Sequence, residues 1–70
     1  MATKKLKFTK LGNKLKKARL ALNLTQAQVA EKSGVHVNFY ARLERGEENV
    51  SYDNLDEIMK AVGLTSLEID

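Results

Sequence analysis

Three residues of this 70-residue chain carry side chains suited to reading the edges of base pairs, and their spacing brings them together. Asn38 and Arg42 stand four residues apart, so on a helix they lie one above the other, with Val37 next to Asn38. A guanidinium can donate a bidentate pair to guanine O6 and N7, an asparagine amide can pair with adenine N6 and N7, and an isopropyl group matches the methyl of thymine. Plainer readings stand beside these. Arg42 can be a solvated helix arginine or the partner of a nearby acid, Asn38 can hydrogen-bond locally at a helix start, and a single exposed valine is ordinary. His36, the one histidine, is expected to cap that helix rather than bind a ligand or sense pH. Catalysis has little to work with. There is no cysteine, no nucleophile–histidine arrangement, no metal-ligand spacing and no paired-carboxylate cleft, so neither an enzyme nor a metal or other cofactor is expected.

Positioning those side chains requires a helix whose opposite face is buried, and Val35, Tyr40 and Leu43 supply that apolar stripe. The spacing predicts helix three from about His36 or Val37 to Arg45, ending at Gly46. Tyr40 is expected to point inward with its hydroxyl near the edge, and Phe39 to lie against sugar-phosphate or a neighbouring helix. Before it, Thr25 can N-cap a helix over roughly Gln26 to Ser33, with Val29 and Ala30 facing inward and Gly34 at the sharp turn. The small Ala30 permits a close helix crossing. A first helix is expected from about Thr9 or Leu11 to Leu22, with Leu11, Leu15, Ala18 and Leu22 on its buried stripe and Asn23 closing it in a left-handed conformation. Leu24 plugs the core between the first two helices. Ser51, supported by Asp53, starts a fourth helix whose buried stripe is Leu55, Ile58, Met59 and Val62, stopped by Gly63. Thr65 and Glu68 form a candidate capping box for a vestigial fifth helix through Ile69. The fold class is therefore all-α, a compact bundle of four to five helices, with a flexible basic arm over residues 1–8 and a domain over 9–70.

Charge is distributed unevenly along this chain. Residues 1–22 hold eight Lys and Arg and no acid, whereas residues 47–70 hold one Lys against seven Asp and Glu. Such a molecule presents its front to a polyanion and turns its back away from one. For the lysines of the amino-terminal arm, simple solvation and contact with DNA are both open. The amino terminus has no apolar h-region and no apolar run approaches the length of a membrane span, so neither a signal peptide nor a membrane partner is expected. Absence of cysteine fits a reducing cytoplasm.

The stretch Gln26–Gly46, QAQVAEKSGVHVNFYARLERG, together with the later run from Asn49 to Leu64, resembles the Cro/phage-repressor-like helix-turn-helix family of the XRE type. Ser33-Gly34-Val35-His36 and Tyr40-Ala41-Arg42-Leu43-Glu44-Arg45-Gly46 carry the likeness, which covers about residues 11 to 69. It implies a lambda-repressor-like fold with the helix-turn-helix at 26–45, its second helix in the major groove. It further implies base contacts from Val37, Asn38, Arg42 and Gln26, and phosphate contacts from Thr25, Phe39, Arg45, Asn49, Arg19 and Lys10. A structural ion pair between Arg19 and Glu44 follows from the same likeness. The expected activity is that of a prokaryotic or phage-encoded, cytoplasmic transcriptional regulator that binds a pseudo-palindromic double-stranded operator as a homodimer. Leu64, Leu67 and Ile69, in the acidic carboxy-terminal third, are the candidate dimer surface. The chain departs from the family in having Glu47-Glu48 where basic residues are common. That departure keeps open a protein-interaction module, one contacting RNA polymerase or a cognate toxin.

Overall fold

A computed structural model describes residues 2–64, with side chains from Thr9 onward. Within it the chain forms α1 (Ala2–Ala21), α2 (Gln26–Ser33), α3 (Val37–Glu44) and α4 (Tyr52–Ala61). The all-α expectation holds, and α2 has the expected bounds. Helix α1 begins at Ala2 rather than at Thr9 or Leu11. The reason lies in residues 2–8, ATKKLKF, which contain good helix formers and neither Gly nor Pro. The expected last turn over Thr65 to Ile69 lies outside the described residues.

All four helices stop in the same way. Asn23, Gly34, Gly46 and Gly63 adopt φ of 58°, 75°, 78° and 79°. After each of them, the next amide reaches back five residues: Leu24 N–H to the Arg19 carbonyl at 3.2 Å, Val35 to Ala30 at 3.0 Å, Glu47 to Arg42 at 2.9 Å and Leu64 to Met59 at 2.8 Å. These Schellman turns satisfy carbonyls that a helix end otherwise leaves unpaired. Starts are equally specific. The Thr25 hydroxyl accepts the Gln28 N–H at 3.0 Å while the Gln28 side chain accepts the Thr25 N–H at 2.8 Å, a full capping box. His36 Nδ1 accepts the Asn38 N–H at 3.1 Å, and Ser51 caps α4 through the Asn54 N–H.

The core consists of Leu11, Leu15, Val29, Ala30, Tyr40, Leu43, Ile58 and Val62. Each large aliphatic side chain buried here contributes roughly 1.5–3 kcal/mol. Helix α2 packs against both α3 and α4, and α1 packs against α3. Leu24, Leu55 and Ala18 are partly buried against this core. Two expectations need correcting. Leu22 is 50% exposed, because α1 ends at Ala21 and the turn through Asn23 carries Leu22 off the buried stripe. The Tyr40 hydroxyl is sealed inside rather than near the edge, since the whole side chain is inaccessible.

Beside that hydroxyl sits the one buried charge pair among the described residues. Arg19 Nε donates to Glu44 Oε2 at 2.6 Å, Nη2 donates to Oε1 at 3.1 Å, and Nη1 donates to the Leu24 carbonyl at 2.9 Å. Gln26 Nε2 adds a fourth hydrogen bond, to Glu44 Oε1 at 3.0 Å. Burial pushes the Glu44 proton affinity up, but the hydrogen bonds from Arg19 and Gln26 and the nearby Tyr40 outweigh it, and its pKa ends below the ordinary glutamate value. Burial, and after it the neighbouring Glu44, pushes the Tyr40 phenol the other way, well above its ordinary range. The pair lies where α1 meets the end of α3, and Gly12 permits that approach. A Cβ on Gly12 would run into the backbone carbonyl oxygens of Leu43 and Glu44.

Two outcomes follow for equilibrium denaturation. Gly12→Ala, which in an open helix would gain about 1 kcal/mol in propensity, is expected to lose about 1–3 kcal/mol here because backbone cannot yield to the added methyl. Glu44→Gln is expected to cost about 3 kcal/mol at neutral pH by leaving Arg19 buried without its counter-charge. Since the folded-state pKa of Glu44 is lowered, its contribution is complete above the unfolded value of about 4.3 and fades as pH falls through the folded value. The gap between wild type and Glu44→Gln should therefore narrow in acid, and a gap independent of pH would contradict the assignment.

Candidate nucleic-acid interface

Helix α3 divides cleanly between two environments. Tyr40, Leu43 and Glu44 are buried, while Val37, Asn38 and Arg42 stay accessible on the outward side. Val37 is 38% exposed, less than Leu20, Leu22 or Tyr52, so only its place beside Asn38 and Arg42 sets it apart. The division follows from the sequence, because the apolar stripe fixes which side faces the core and the remainder must face out. Helix α3 is held against α2 by side-chain packing and by the hydrogen bond from Gln26 at the start of α2 to Glu44 at the end of α3, so this outward side has a defined direction relative to the rest of the domain.

The two arginines of this region are not free cations. Arg42 Nε lies 3.0 Å from Glu48 Oε2, and Arg45 Nη2 donates to Glu47 Oε1 at 3.1 Å. For Arg42, the plainer reading as the partner of a nearby acid is thus met, while its side chain stays 49% exposed. The Schellman turn at Gly46 brings this about. It folds the chain back over the end of α3 and returns Glu48 to the side chain of Arg42, six residues earlier.

The other candidates fall into two groups. Lys10, Asn49 and Arg45 are exposed, and Asn49 Oδ1 accepts its neighbour's amide from Val50 at 2.9 Å. Thr25 is accessible at the start of α2, where its hydroxyl, though accepting from Gln28, keeps its own proton to donate. The first amides of α2 and its positive dipole end lie at the same place. Gln26, by contrast, has its amide held by Glu44, and Phe39 is partly buried against the core. Arg19 needs correcting as a phosphate contact. Its three nitrogens all bond internally and its side chain is only 10% exposed, because the buried Glu44 draws the guanidinium inward. The carboxy-terminal candidates Leu67 and Ile69 lie outside the described residues, and Leu64 is half-buried.

One surface escapes the sequence pattern. Tyr52 is 90% exposed and lines a shallow hollow with Leu55, Asp56 and Met59 on α4. Leu55 and Met59 read as core by their spacing, yet both are only half-buried, and the aromatic one turn before them is the available signal. No helix among the described residues is long and apolar enough to cross a membrane, and none of these residues gather into a metal-binding group.

This geometry has known counterparts. The helix-turn-helix family model matches residues 15–69. The chain is 37% identical over 54 residues to the control protein C.BamHI of Bacillus amyloliquefaciens, spanning 76% of this chain and 67% of that protein. It is 36% identical over 61 residues to the control protein C.MunI of a Mycoplasma species, spanning 86% and 82%. Among solved structures, the restriction-modification controller protein C.AhdI of Aeromonas hydrophila superposes with a TM-score of 0.81 at 30% identity, covering 84% of this chain and 89% of that one. A tyrosine-to-phenylalanine mutant of the restriction-modification controller protein C.Esp1396I gives 0.78 at 31% identity, covering 83% and 73%. The exposed face on α3, the glycine turn behind it and these relatives agree: the chain belongs to the Cro/C1-type helix-turn-helix family and is a DNA-binding transcription regulator.

Proposed function

We propose that this protein controls transcription in a restriction–modification system, binding a pseudo-palindromic operator as a homodimer with α3 in the major groove. The observation that carries the reading is the outward face of Val37, Asn38 and Arg42 on a helix whose other face is locked into the core. Arg42 addresses guanine, Asn38 adenine and Val37 a thymine methyl. Arg45, Lys10, Asn49 and Thr25 hold phosphates on either side and set the register without selecting sequence. Kinship to control proteins and restriction–modification controller proteins supports the biological setting.

A single such module reads too few base pairs to find its site, so two copies are needed, with half-sites about 34–36 Å apart. The dimer surface is assigned to Leu64, Leu67 and Ile69, extended by the Tyr52–Leu55–Met59 hollow on the acidic side, which DNA would repel. A role for Glu47 and Glu48 as a docking point for polymerase or a toxin has less support, because both carboxylates are already engaged by arginines at the end of α3.

Selection of bound sequences from a random duplex pool tests the reading, with affinities then measured on the enriched duplex. Arg42→Ala is expected to lose about 1–3 kcal/mol and to relax the choice at one base pair in each half-site. Uniform weakening across all sequences would make Arg42 a phosphate contact instead. Deleting residues 2–8, which contain Lys4, Lys5 and Lys7, is expected to make log K against log salt shallower by roughly 1 for each phosphate no longer neutralised. An unchanged slope would show that these lysines only solvate the amino terminus.

A further inference from the structure

The pairing of Arg42 with Glu48 is at odds with simple affinity. A carboxylate beside a DNA-facing arginine cancels part of the charge that attracts phosphate and adds repulsion of its own. We propose that Glu48 is a specificity-determining positioning residue, which holds Arg42 by its Nε edge so that its two terminal nitrogens are presented end-on to a guanine. This rests on the reading of α3 as the base-contacting helix.

Geometry distinguishes this contact from its neighbour. Glu48 makes its closest approach to Arg42 at Nε, 3.0 Å away, rather than at either Nη group. The carboxylate thus sits at the Nε edge, which a side-on mode would use, and not nearest the two terminal nitrogens that form a bidentate fork toward guanine O6 and N7. Glu47, by contrast, takes a terminal nitrogen of Arg45, the group a fork would need. Exposure differs too: the Glu48 side chain is 31% exposed and that of Glu47 47%, so the Arg42 partner is the more enclosed of the two. An unheld arginine has many rotamers and can reach a phosphate from most of them, which raises affinity for every sequence alike. Restraining it removes those poses and leaves the one that a guanine satisfies and that an adenine or cytosine, with amino donors in the groove, does not. The restraint is built into the backbone. The Schellman turn at Gly46, closed by the Glu47 amide on the Arg42 carbonyl at 2.9 Å, returns residue 48 to the helix side that carries Arg42.

The test uses the full chain and two duplexes: the one enriched by wild type from a random pool, and the same duplex with the Arg42-dependent G·C pairs changed to A·T. Glu48→Gln is expected to bind the changed duplex about two- to threefold more tightly, since one repelling charge is gone, and to lose about threefold in the ratio between the two duplexes, within what a half-exposed ion pair contributes. Glu47→Gln, removing the same charge one residue away, is expected to tighten both and leave the ratio unchanged. In an Arg42→Ala background, Glu48→Gln is expected to leave the ratio unchanged as well. Equal tightening on both duplexes by Glu48→Gln would overturn the proposal and make Glu48 a repelling charge only. Should wild type enrich no sequence at all, the base-reading assignment itself fails, and this proposal with it.

Discussion

The buried pair of Arg19 and Glu44 is the constraint around which the domain is arranged. Its members come from the last turn of α1 and the last residue of α3, and its remaining hydrogen bonds go to the link between α1 and α2 through Leu24 and to the first residue of α2 through Gln26. Three helices and a connection thus share four hydrogen bonds around one carboxylate and one guanidinium. Removing two charges from water is costly, and an apolar replacement of equal volume would stabilise a core at least as well. What the pair supplies beyond stability is direction. Bidentate geometry tolerates little rotation, so it fixes the angle at which α3 leaves the core. Gly12 and Gly46 permit the same approach sterically, each lying where a Cβ would strike α3 or Thr9.

Local signals in this chain are legible from its residues, and non-local ones only where the family likeness supplies them. Thr25, His36 and Ser51 as caps, and Asn23, Gly34 and Gly63 as stops, follow from chemistry within a few residues, and all six take those places in the structure. The start of α1 is hidden because residues 2–8 lack an amphipathic pattern, although their helix propensity is good. Leu22 misleads because its spacing continues the α1 stripe, whereas the helix ends one residue earlier. For Tyr40, Glu44 lies one turn along the same helix, but the Arg19 that draws this carboxylate inward over the hydroxyl comes from another helix, 25 residues from Glu44. The same holds for Gly12, whose reason for being glycine lies on another helix. The contact of Glu48 with Arg42 falls between the two cases: the residues are close in sequence, but they meet through a reversed chain rather than along a helix face.

Helices α2 and α3 have eight residues each, far too few to persist in water by themselves. Everything that makes α3, the proposed reading helix, rigid is therefore tertiary: the Tyr40 and Leu43 anchors, and the carboxylate at its end held by α1 and by Gln26 of α2. Because the same helix carries the buried Glu44 and the exposed Arg42 two residues apart, core and proposed reading face cannot be adjusted independently. A shift in the angle set by Arg19 moves Arg42 and Asn38 together, and a base contact falls off within fractions of an ångström of hydrogen-bond range. On the proposed reading of α3, alterations in the α1–α3 crossing thus reach the sequence preference through geometry alone. The small size of the domain makes this coupling strict, since there is no second layer of core to absorb the movement.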